Sequence, residues 1–241
     1  MSLFAPSTRL VSSLLLVVVL GACEQNGSEP ASKAKPQIDL AALRAKAEQG
    51  NPESQVQLGR LYLNGEMVTN SYSEAAKWFQ LAAGQGNPDA EAGLGELHEA
   101  GQGVPKDMEK AVQYYRQAAD KGHAGAQYTL GFMAECGRGL PQSHAEAVKW
   151  FLKAAEQGER LSQFDLGQRY EKGVGVPVDL AESFKWLKLA ADQQQADAIV
   201  ELDQVRKMMS AEQAAEGKRR VAAFQTAKTG KAAEERSKAT R

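Results

Sequence analysis

The stretch NPESQVQLGRLYLNGEMVTNSYSEAAKWFQLAAGQG, residues 51–86, decides the fold because its pattern returns three more times without a gap. The further copies follow at a constant spacing of 36 residues, as 87–122, 123–158 and 159–194. Four columns hold the register: a Leu-Gly pair, a later glycine, an aromatic residue and an Ala-Ala pair. These columns begin at Leu58, Leu94, Leu130 and Leu166; at Gly65, Gly101, Gly137 and Gly173; at Trp78, Tyr114, Trp150 and Trp186; and at Ala82, Ala118, Ala154 and Ala190. Such self-similarity predicts a stack of like supersecondary units.

Each copy has the pattern of two helices. In the second helix Ala75, Trp78 and Phe79 begin an apolar stripe on a 3.6-residue period, which predicts that the aromatic column belongs to the core. Ser71 stands three residues before Glu74, the spacing of a capping box. Equivalent helix starts are predicted at Asp107, Ser143 and Asp179. The first helix carries the Leu-Gly pair, and an interior glycine costs about 1 kcal/mol relative to alanine. Because this cost recurs four times at one position, we predict a close approach of the two helices there.

The connection between the two helices reads Gly-x-Gly-Val/Leu-Pro in the last three copies, for example at 101–105. Glycine permits positive φ, and proline stops the first helix from continuing. The first copy has Met67 and Thr69 in place of the second glycine and the proline. We therefore expect its loop to be more mobile or to have a different shape.

These residues resemble the Sel1-like repeat family, a branch of the tetratricopeptide-type solenoids. The resemblance rests on Ala-x-x-x-Leu-Gly, Gly-x-Gly-Val, Ala-x-x-Trp/Tyr-Phe/Tyr and Ala-Ala-x-x-Gly, and it covers 51–194. It implies an all-α fold, a right-handed α-solenoid of antiparallel helix pairs with capping helices at both ends.

The segments on either side of the repeats are predicted to form the caps of the solenoid. Residues 38–50 match the second-helix columns, so we expect a half-repeat cap there. Residues 195–226 are predicted to form C-terminal capping helices, with Asp203 where the repeats have glycine. Residues 227–241 lack apolar periodicity, and we expect them to be a disordered basic tail.

Residues 1–22 resemble the signal peptide of a bacterial lipoprotein. A basic residue precedes an apolar run over 10–20, and two small residues stand directly before Cys23, as in a lipobox. The resemblance implies cleavage before Cys23, a lipid anchor on its sulfur, and residues 23–37 as a disordered tether. Glu24 in the next position implies the outer membrane. We therefore expect a periplasm-facing lipoprotein of the bacterial cell envelope; an ordinary secretory signal with a chance cysteine is the alternative.

Charge is nearly balanced over the whole chain, with a formal net charge of -1. No strong field therefore draws it to nucleic acid, and no nucleic-acid partner is expected. The distribution is uneven, because residues 23–217 carry a net -8 and residues 218–241 a net +6. The basic segment would contact anionic lipid or an acidic partner, but salt screening favours a solvated tail.

Candidate metal and catalytic groups are sparse in the sequence. His98, His123 and His144 lack the spacing of metal ligands, so no metal and no cofactor are expected, and His98 fits as a packing residue. Cys136 is expected to be a small, partly buried residue, with an intermolecular disulfide as the alternative. The sequence lacks the paired cysteines that the cysteine-rich branch of the family carries in its repeats, so we do not expect the β-lactam activity linked to that branch. We predict that the chain is not an enzyme.

A partner surface is predicted on the first helices, because solenoids present a concave surface lined mostly by one helix of each pair. With Leu58 in the core, a turn of 100° per residue points Gln57, Arg60 and Asn64 away from it. With the equivalents in later copies, the candidate partner-binding residues are Gln57, Arg60, Asn64, Glu96, Thr129, Phe132, Asp165, Gln168 and Lys172. These positions vary between copies, as a specific partner requires, although plain solvent exposure allows the same variation. Phe132 is either the aromatic anchor of this surface or packs on Tyr128.

These observations predict a non-enzymatic protein–protein interaction adaptor or scaffold in the cell envelope, which binds a protein or peptide on the concave face. One alternative is a periplasmic immunity protein that neutralises a secreted, type VI, lipase-like toxin, as some members of the family do. Another is an enzyme acting on cell-wall material or β-lactams, which the sequence disfavours. A third is a role in polysaccharide export or peptidoglycan binding.

Overall fold

The computed structural model of the protein describes residues 39–239. The predicted signal peptide 1–22, the tether 23–37 and the lipidation site Cys23 lie outside these residues. Eleven helices and no strand occur over the described range. In chain order they are α1 (Leu40–Glu48), α2 (Pro52–Asn64), α3 (Tyr72–Ala83), α4 (Pro88–Ala100), α5 (Met108–Asp120), α6 (Ala124–Cys136), α7 (His144–Gln157), α8 (Arg160–Lys172), α9 (Leu180–Asp192), α10 (Ala196–Met208) and α11 (Ala211–Ala239). From residue 39 to residue 239, none of these helices has both the length and the apolar character needed to span a bilayer.

Consecutive helices pack side by side through all four repeats. Each first helix contacts the second helix of its own repeat, in the pairs α2–α3, α4–α5, α6–α7 and α8–α9. Each second helix also contacts the first helix of the next repeat, from α3–α4 to α9–α10. At the N-terminal end α1 packs on α2, where Leu43 and Ala47 join Leu58 and Leu61 in one apolar cluster. The predicted fold class, an all-α solenoid of helix pairs with further helices at both ends, is confirmed.

The second helices begin at the residues that the sequence predicts as N-caps. The Ser71 hydroxyl accepts a hydrogen bond from the backbone N–H of Glu74 at 3.3 Å. Asp107, Ser143 and Asp179 cap their helices in the same way. The Glu74 carboxylate pairs with Lys77 at 2.6 Å. These caps satisfy backbone donors that have no partner inside the helix, and so they fix where each second helix starts.

The glycine of each Leu-Gly pair lies under an apolar side chain of the second helix. A Cβ atom on Gly95 would approach the Tyr115 ring to 2.8 Å, and one on Gly59 would approach the Phe79 ring to 2.6 Å. Phe151 and Leu187 take the same place in the third and fourth repeats. The predicted close approach is therefore confirmed, because a larger residue here would push the helix pair apart.

The second glycine of the loop motif meets the repeat before it. Gly103 has a φ of +69°, and a Cβ there would lie 2.3 Å from the carbonyl carbon of Tyr72. In the first repeat Met67 adopts nearly the same left-handed conformation, with a φ of +61°, and its side chain is 57% exposed. The expectation of a different loop shape is thus wrong at this residue. Methionine accepts the conformation, at a cost of about 1–2 kcal/mol, because its side chain extends into solvent.

The aromatic column belongs to the core, as predicted. Trp186 is buried, whereas Trp78, Tyr114 and Trp150 are half-buried and each packs against an apolar cluster. His98 is buried beside this column, with its ring stacked on Tyr114 at a centroid distance of 5.5 Å. The histidine is therefore the packing residue that the sequence predicts.

The C-terminal segment differs from the prediction. Helix α11 continues to Ala239, so the predicted disorder of 227–241 is wrong for residues 227–239. The segment is rich in alanine, lysine, glutamate and arginine and contains no proline. These residues have the highest helix propensities, and they continue the helix without an apolar stripe.

Helix α11 is held on α9 by one aromatic pair and one arginine. The Phe224 ring meets Trp186 edge-on at a centroid distance of 5.5 Å. Arg220 Nη1 donates to Asp179 at 2.8 Å and to Glu182 at 3.0 Å, both in the first turn region of α9. The C-terminal helix therefore covers the last second helix of the repeats.

Candidate partner-binding surface

One face of the first helices is not covered by neighbouring helices, and we call it the first-helix face. The nine residues that the sequence proposes for partner binding lie on it. Gln57, Arg60, Asn64, Glu96, Phe132 and Lys172 are exposed, and Thr129, Asp165 and Gln168 are half-buried. Gly93, which is the equivalent of Gln57 in the second repeat, is buried under the Phe79 ring. At this position the second repeat therefore presents no side chain to the face.

Polar contacts link neighbouring first helices along this face. Arg60 of α2 lies 3.2 Å from Asp89 of α4, and the Nε2 of His123, at the start of α6, lies 3.2 Å from the same carboxylate. His123 Nδ1 accepts the backbone N–H of Ala126 as the N-cap of α6. In the neutral ring the proton is therefore on Nε2, which donates to Asp89. Asp89 thus ties three repeats together.

A second junction forms around Glu99 of α4. Arg138 Nη2 donates to Glu99 at 2.7 Å, and the Tyr115 hydroxyl donates to its other oxygen at 2.9 Å. Burial and this hydrogen bond raise the pKa of Tyr115 above its usual range. Both oxygens of the Glu99 carboxylate therefore have partners within the chain, and little of its charge is available to a binding partner.

Arg169 of α8 is a deeply buried cation, with its side chain 7% exposed. Its Nη2 lies 2.5 Å from the Glu135 carboxylate of α6, and its guanidinium carbon lies 4.9 Å from the centre of the Phe151 ring. Among the residues that the structure describes, none accepts a hydrogen bond from its Nε or Nη1. A buried donor without a partner costs about 1–3 kcal/mol, so the position of Arg169 lowers the stability of the fold unless the ion pair and the aromatic contact offset this cost.

Asp165 lies one helical turn before Arg169 and is half-buried. Burial raises the pKa of Asp165 to about 6, and the negative charges of Glu135 and Glu159 add to the rise, although Arg169 and the Tyr128 hydroxyl favour the ionised form. Burial likewise raises the pKa of Tyr128 to about 12. At neutral pH Asp165 is therefore ionised in surroundings that compensate its charge incompletely.

A cavity of about 140 Å³ lies beside these two groups. Its lining residues are Glu135, Asp165, Gln168, Arg169, Lys172 and Val174. The side-chain amide of Gln168 donates to Glu201 at 2.5 Å. This hydrogen bond links α10, the helix after the last repeat, to the α8 side of the cavity. Both hydrogen-bond donors and hydrogen-bond acceptors are among the residues that line the cavity.

Phe132 and Cys136 lie on α6. Phe132 is 40% exposed, and the Tyr128 ring lies 5.7 Å from the Phe151 ring in the core. Cys136 is exposed, so the expectation of a partly buried residue is wrong. The cause is local: Cys136 is the last residue of α6, and Gly137 turns the chain away in the left-handed conformation.

A set of buried polar residues escaped the sequence analysis. Gln55, Gln127 and Gln163 are buried, and each donates through Nε2 to a carbonyl oxygen at the end of the preceding second helix. Gln85, Gln157 and Gln193, each thirty residues later, donate in turn to the Oε1 of these glutamines. In the second repeat the pair is Glu91 with Lys121. The signal was present as two polar columns with the 36-residue period, but glutamine is ordinarily a surface residue.

The other side chains that could bind a metal or take part in catalysis do not cluster within the described residues. Within residues 39–239, no three side chains of His, Cys, Asp or Glu are placed to hold a metal ion. His123 caps α6, and His98 packs in the core. That the chain uses no metal or cofactor and has no catalytic role stays a prediction.

Stacked helix pairs with packing columns at a fixed spacing define a helical solenoid repeat protein. The profile of the Sel1 repeat matches residues 52–87, 88–123, 124–159 and 160–194. The chain therefore belongs to the Sel1 repeat family. The Sel1 repeat is a protein-interaction fold and generally not an enzymatic one.

The solved structures that are similar to the chain include two Sel1-type proteins. A Sel1 repeat protein from Oxalobacter formigenes is 38% identical, with a TM-score of 0.65 over 68% of this chain and 48% of that one. The protein c5321, a protective antigen present in uropathogenic Escherichia coli strains that displays an SLR fold, is 34% identical, with a TM-score of 0.63 over 66% of this chain and 34% of that one. The chain thus spans half or less of the length of these structures. A comparison with curated proteins finds no match.

Proposed function

We propose that the chain is a non-enzymatic adaptor that binds a protein or peptide along the first-helix face, on the concave side of the solenoid. The observation that carries the proposal is one column of the first helices, which is exposed in the first three repeats and half-buried in the fourth. Arg60, Glu96, Phe132 and Gln168 occupy the same position in the four repeats. The packing columns repeat, whereas this column changes its chemistry at every step. A surface of this kind can read a particular partner sequence, and the protein-interaction character of the Sel1 fold supports the proposal.

The adaptor's proposed location is the bacterial cell envelope, where a lipid on Cys23 holds it at the periplasmic side of the outer membrane. The support is the lipobox-like sequence that ends at Cys23. Metabolic labelling with palmitate should mark the wild-type chain and not Cys23→Ser, which should leave the membrane fraction. An unlabelled wild-type chain, or equal labelling of both, would contradict the anchor.

Partner binding is tested by capture from a cell-envelope extract with the full chain as bait. Phe132→Ser and Arg60→Glu change the first-helix face, and Leu81→Ser is the matched control, because Leu81 is exposed on the second helix α3. A partner should be retained by wild type and by Leu81→Ser, and its recovery should fall at least about tenfold with both face variants. Equal recovery by all four baits would place the binding surface elsewhere.

A secreted toxin is a second candidate partner. The segment 23–217 carries a net -8, which would attract a basic protein and speed its association. Co-expression with a type VI, lipase-like toxin from the neighbouring genes should restore growth with the wild-type chain and less so with Phe132→Ser. No protection by the wild-type chain would remove the immunity role.

A further inference from the structure

We propose that a face of the second helices near the N-terminal end binds a helix of a partner polypeptide that carries arginine, an aromatic residue and lysine at successive intervals of four residues. We call this surface the α3 outer face, and it consists of Glu74, Lys77, Trp78 and Leu81 of α3 together with residues 48–50 at the end of α1. It is separate from the first-helix face, so the inference does not rest on the proposed function. The chemistry of the occupant follows from α11, which lies on the equivalent surface of the fourth repeat.

The stripe that α11 presents to the repeats consists of Arg220, Phe224 and Lys228, which share one side of the helix because they are four residues apart. Arg220 pairs with carboxylates in the first turn region of α9. The Phe224 ring meets Trp186 in the middle of α9. Lys228 Nζ donates to the carbonyl oxygen of Gln157, at the end of α7, at 3.3 Å. Helix α11 therefore extends from α9 to the end of the preceding second helix.

The surface under α11 recurs three repeat lengths earlier in the chain. The shared positions of the second helix are Glu182, Lys185, Trp186 and Leu189 in α9 and Glu74, Lys77, Trp78 and Leu81 in α3. Residues 156–158 at the end of α7 and residues 48–50 at the end of α1 both read Glu-Gln-Gly. The second and third repeats break this set, with Lys110 and Gln117 in one and Lys121 and Lys153 in the other. Of these three repeats, the first alone therefore matches the surface that α11 covers.

The matching residues differ in exposure, which shows the area that a docked helix would bury. Leu81 is 52% exposed, whereas Leu189 is 7% exposed and shares an apolar cluster with Val221 of α11. Trp78 is half-buried, whereas Trp186 is buried. Because removal of apolar surface from water drives association, Leu81 and the exposed part of Trp78 provide the apolar contact for an incoming aromatic side chain.

Glu74 provides the acceptor for an incoming arginine. Its Oε1 pairs with Lys77 at 2.6 Å, and among the described residues none donates to its Oε2. Glu182 pairs with Lys185 in the same way and accepts from Arg220 through its Oε2. An arginine on a docked helix would therefore find on α3 the same carboxylate oxygen that Arg220 uses on α9.

Two differences make the α3 outer face a weaker site for α11 than its own place on α9. Ser71 stands where the fourth repeat has Asp179, so an arginine gains one carboxylate instead of two. Ala76 stands where the fourth repeat has Phe184, on whose ring Gly217 of α11 lies so closely that a Cβ there would approach it to 2.7 Å. The α11 of this chain, or of a second copy, therefore stays on its own α9. The α3 outer face is left to a helix from another polypeptide.

The probe is a synthetic peptide of residues 211–230 with a hydrocarbon link between positions 218 and 222, which are exposed in α11. The link keeps the peptide helical and so removes most of the entropic cost of ordering it. Binding to the full chain is measured by fluorescence anisotropy at physiological salt. The peptide should bind saturably, with one copy per chain. Peptides with Arg220→Ala or Phe224→Ala should bind at least about tenfold more weakly, because each lacks one contact of the stripe.

Matched substitutions in the chain locate the site. Leu81→Ser removes the apolar contact and Glu74→Gln removes the charged acceptor, and each should weaken peptide binding at least about fivefold. Lys153→Ser and Glu146→Gln change the same two columns in the third repeat and should leave the affinity within about twofold, since distant sites act independently. All four side chains are exposed or half-buried, so the variants should fold, which thermal unfolding would check.

Three results would overturn the inference. The first is a linked peptide that does not bind saturably to the wild-type chain. The second is binding that ignores Leu81→Ser and Glu74→Gln while amide exchange in the chain's own α11 becomes faster, because the peptide would then displace α11 from α9. The third is binding that is lost with Phe132→Ser and kept with Leu81→Ser, which would place the peptide on the first-helix face and leave the proposed function standing.

Discussion

Glu91 and Lys121 form an ion pair, with 2.5 Å between Oε1 and Nζ, at the place where the other three repeats join two glutamines. Glu91 is buried, with 5% of its side chain exposed, and Lys121 reaches it from a partly solvated position, 41% exposed. Lys121 Nζ also donates to the Gly86 carbonyl at 3.0 Å. The second repeat thus keeps a polar tie between its two ends but builds it from charges.

Because the two chemistries occupy one geometry, the ion pair should be exchangeable for the glutamine pair. The double variant Glu91→Gln with Lys121→Gln should unfold in urea within about 1 kcal/mol of wild type, since replacing both partners of a partly buried ion pair together is often neutral. Lys121→Ala alone should cost about 1–3 kcal/mol, because it leaves a buried carboxylate without its donor. Lys149→Ala, which removes an exposed pair with Glu146, is the control and should cost under about 0.5 kcal/mol. A double variant less stable than Lys121→Ala would contradict the exchange.

The Leu-Gly column should tolerate no side chain larger than hydrogen. Gly95→Ala improves helix propensity, yet its Cβ would lie 2.8 Å from the Tyr115 ring. We expect a net loss of about 1–3 kcal/mol in the free energy of unfolding, measured by urea denaturation. Gly230→Ala in α11 is the matched control, because nothing described lies within 4 Å of its Cβ, and it should be neutral or slightly stabilising. Equal stabilisation by both substitutions would mean that the helix pair does not approach closely.

Asp165 should make stability depend on pH in a direction opposite to that of an ordinary ion-paired carboxylate. Its pKa rises from 3.8 to about 6 on folding, so the folded state holds the proton more tightly than the unfolded chain. Its stabilising contribution is complete below pH 4 and is lost as the pH rises through 6. The stability of Asp165→Asn relative to wild type should therefore increase between pH 4 and pH 6, as urea unfolding at each pH would show. A difference that stays constant over this window, as expected for Asp120→Asn, would argue against the raised pKa.

Arg220 should hold α11 on the solenoid. It bonds to Asp179 and Glu182 in α9 and to Glu216 in its own helix, whereas Arg219 pairs only with Glu216 among the described residues. Arg220→Ala should open α11 to proteolysis and speed amide exchange around Phe224, with a cost of about 1 kcal/mol because the side chain is about one-third exposed. Arg219→Ala should leave both readouts unchanged. Protease resistance equal to wild type would show that the Phe224 contact suffices.

The sequence was sufficient for the helix pairs because their packing residues recur at one spacing. The positions of Leu58, Gly59 and Phe79 each recur every 36 residues, and their packing roles follow from helical geometry. The sequence did not show which polar residues turn inward, because burial of Gln55 depends on a carbonyl of another helix. It also did not show the course of α11, whose contacts with α9 join residues that are about forty positions apart.

The candidate surface was only partly accessible to sequence reasoning. Helical period places Phe132 and Asp165 on the same side of the repeats, and the structure finds both on the first-helix face. The ion pair between Arg169 and Glu135 joins two repeats, and it could not be predicted from a column that recurs in every repeat. The cavity between them depends on those cross-repeat contacts, so it emerges only in three dimensions.

Amide hydrogen–deuterium exchange of the full chain, with and without its captured partner, tests the adaptor role most directly. If the chain is an adaptor of this kind, the partner slows exchange in α6 and α8, around Phe132 and Asp165, and leaves the exposed face of α3 and α5 unchanged. Protection confined to the second helices, with α6 and α8 exchanging as in the free chain, would contradict it.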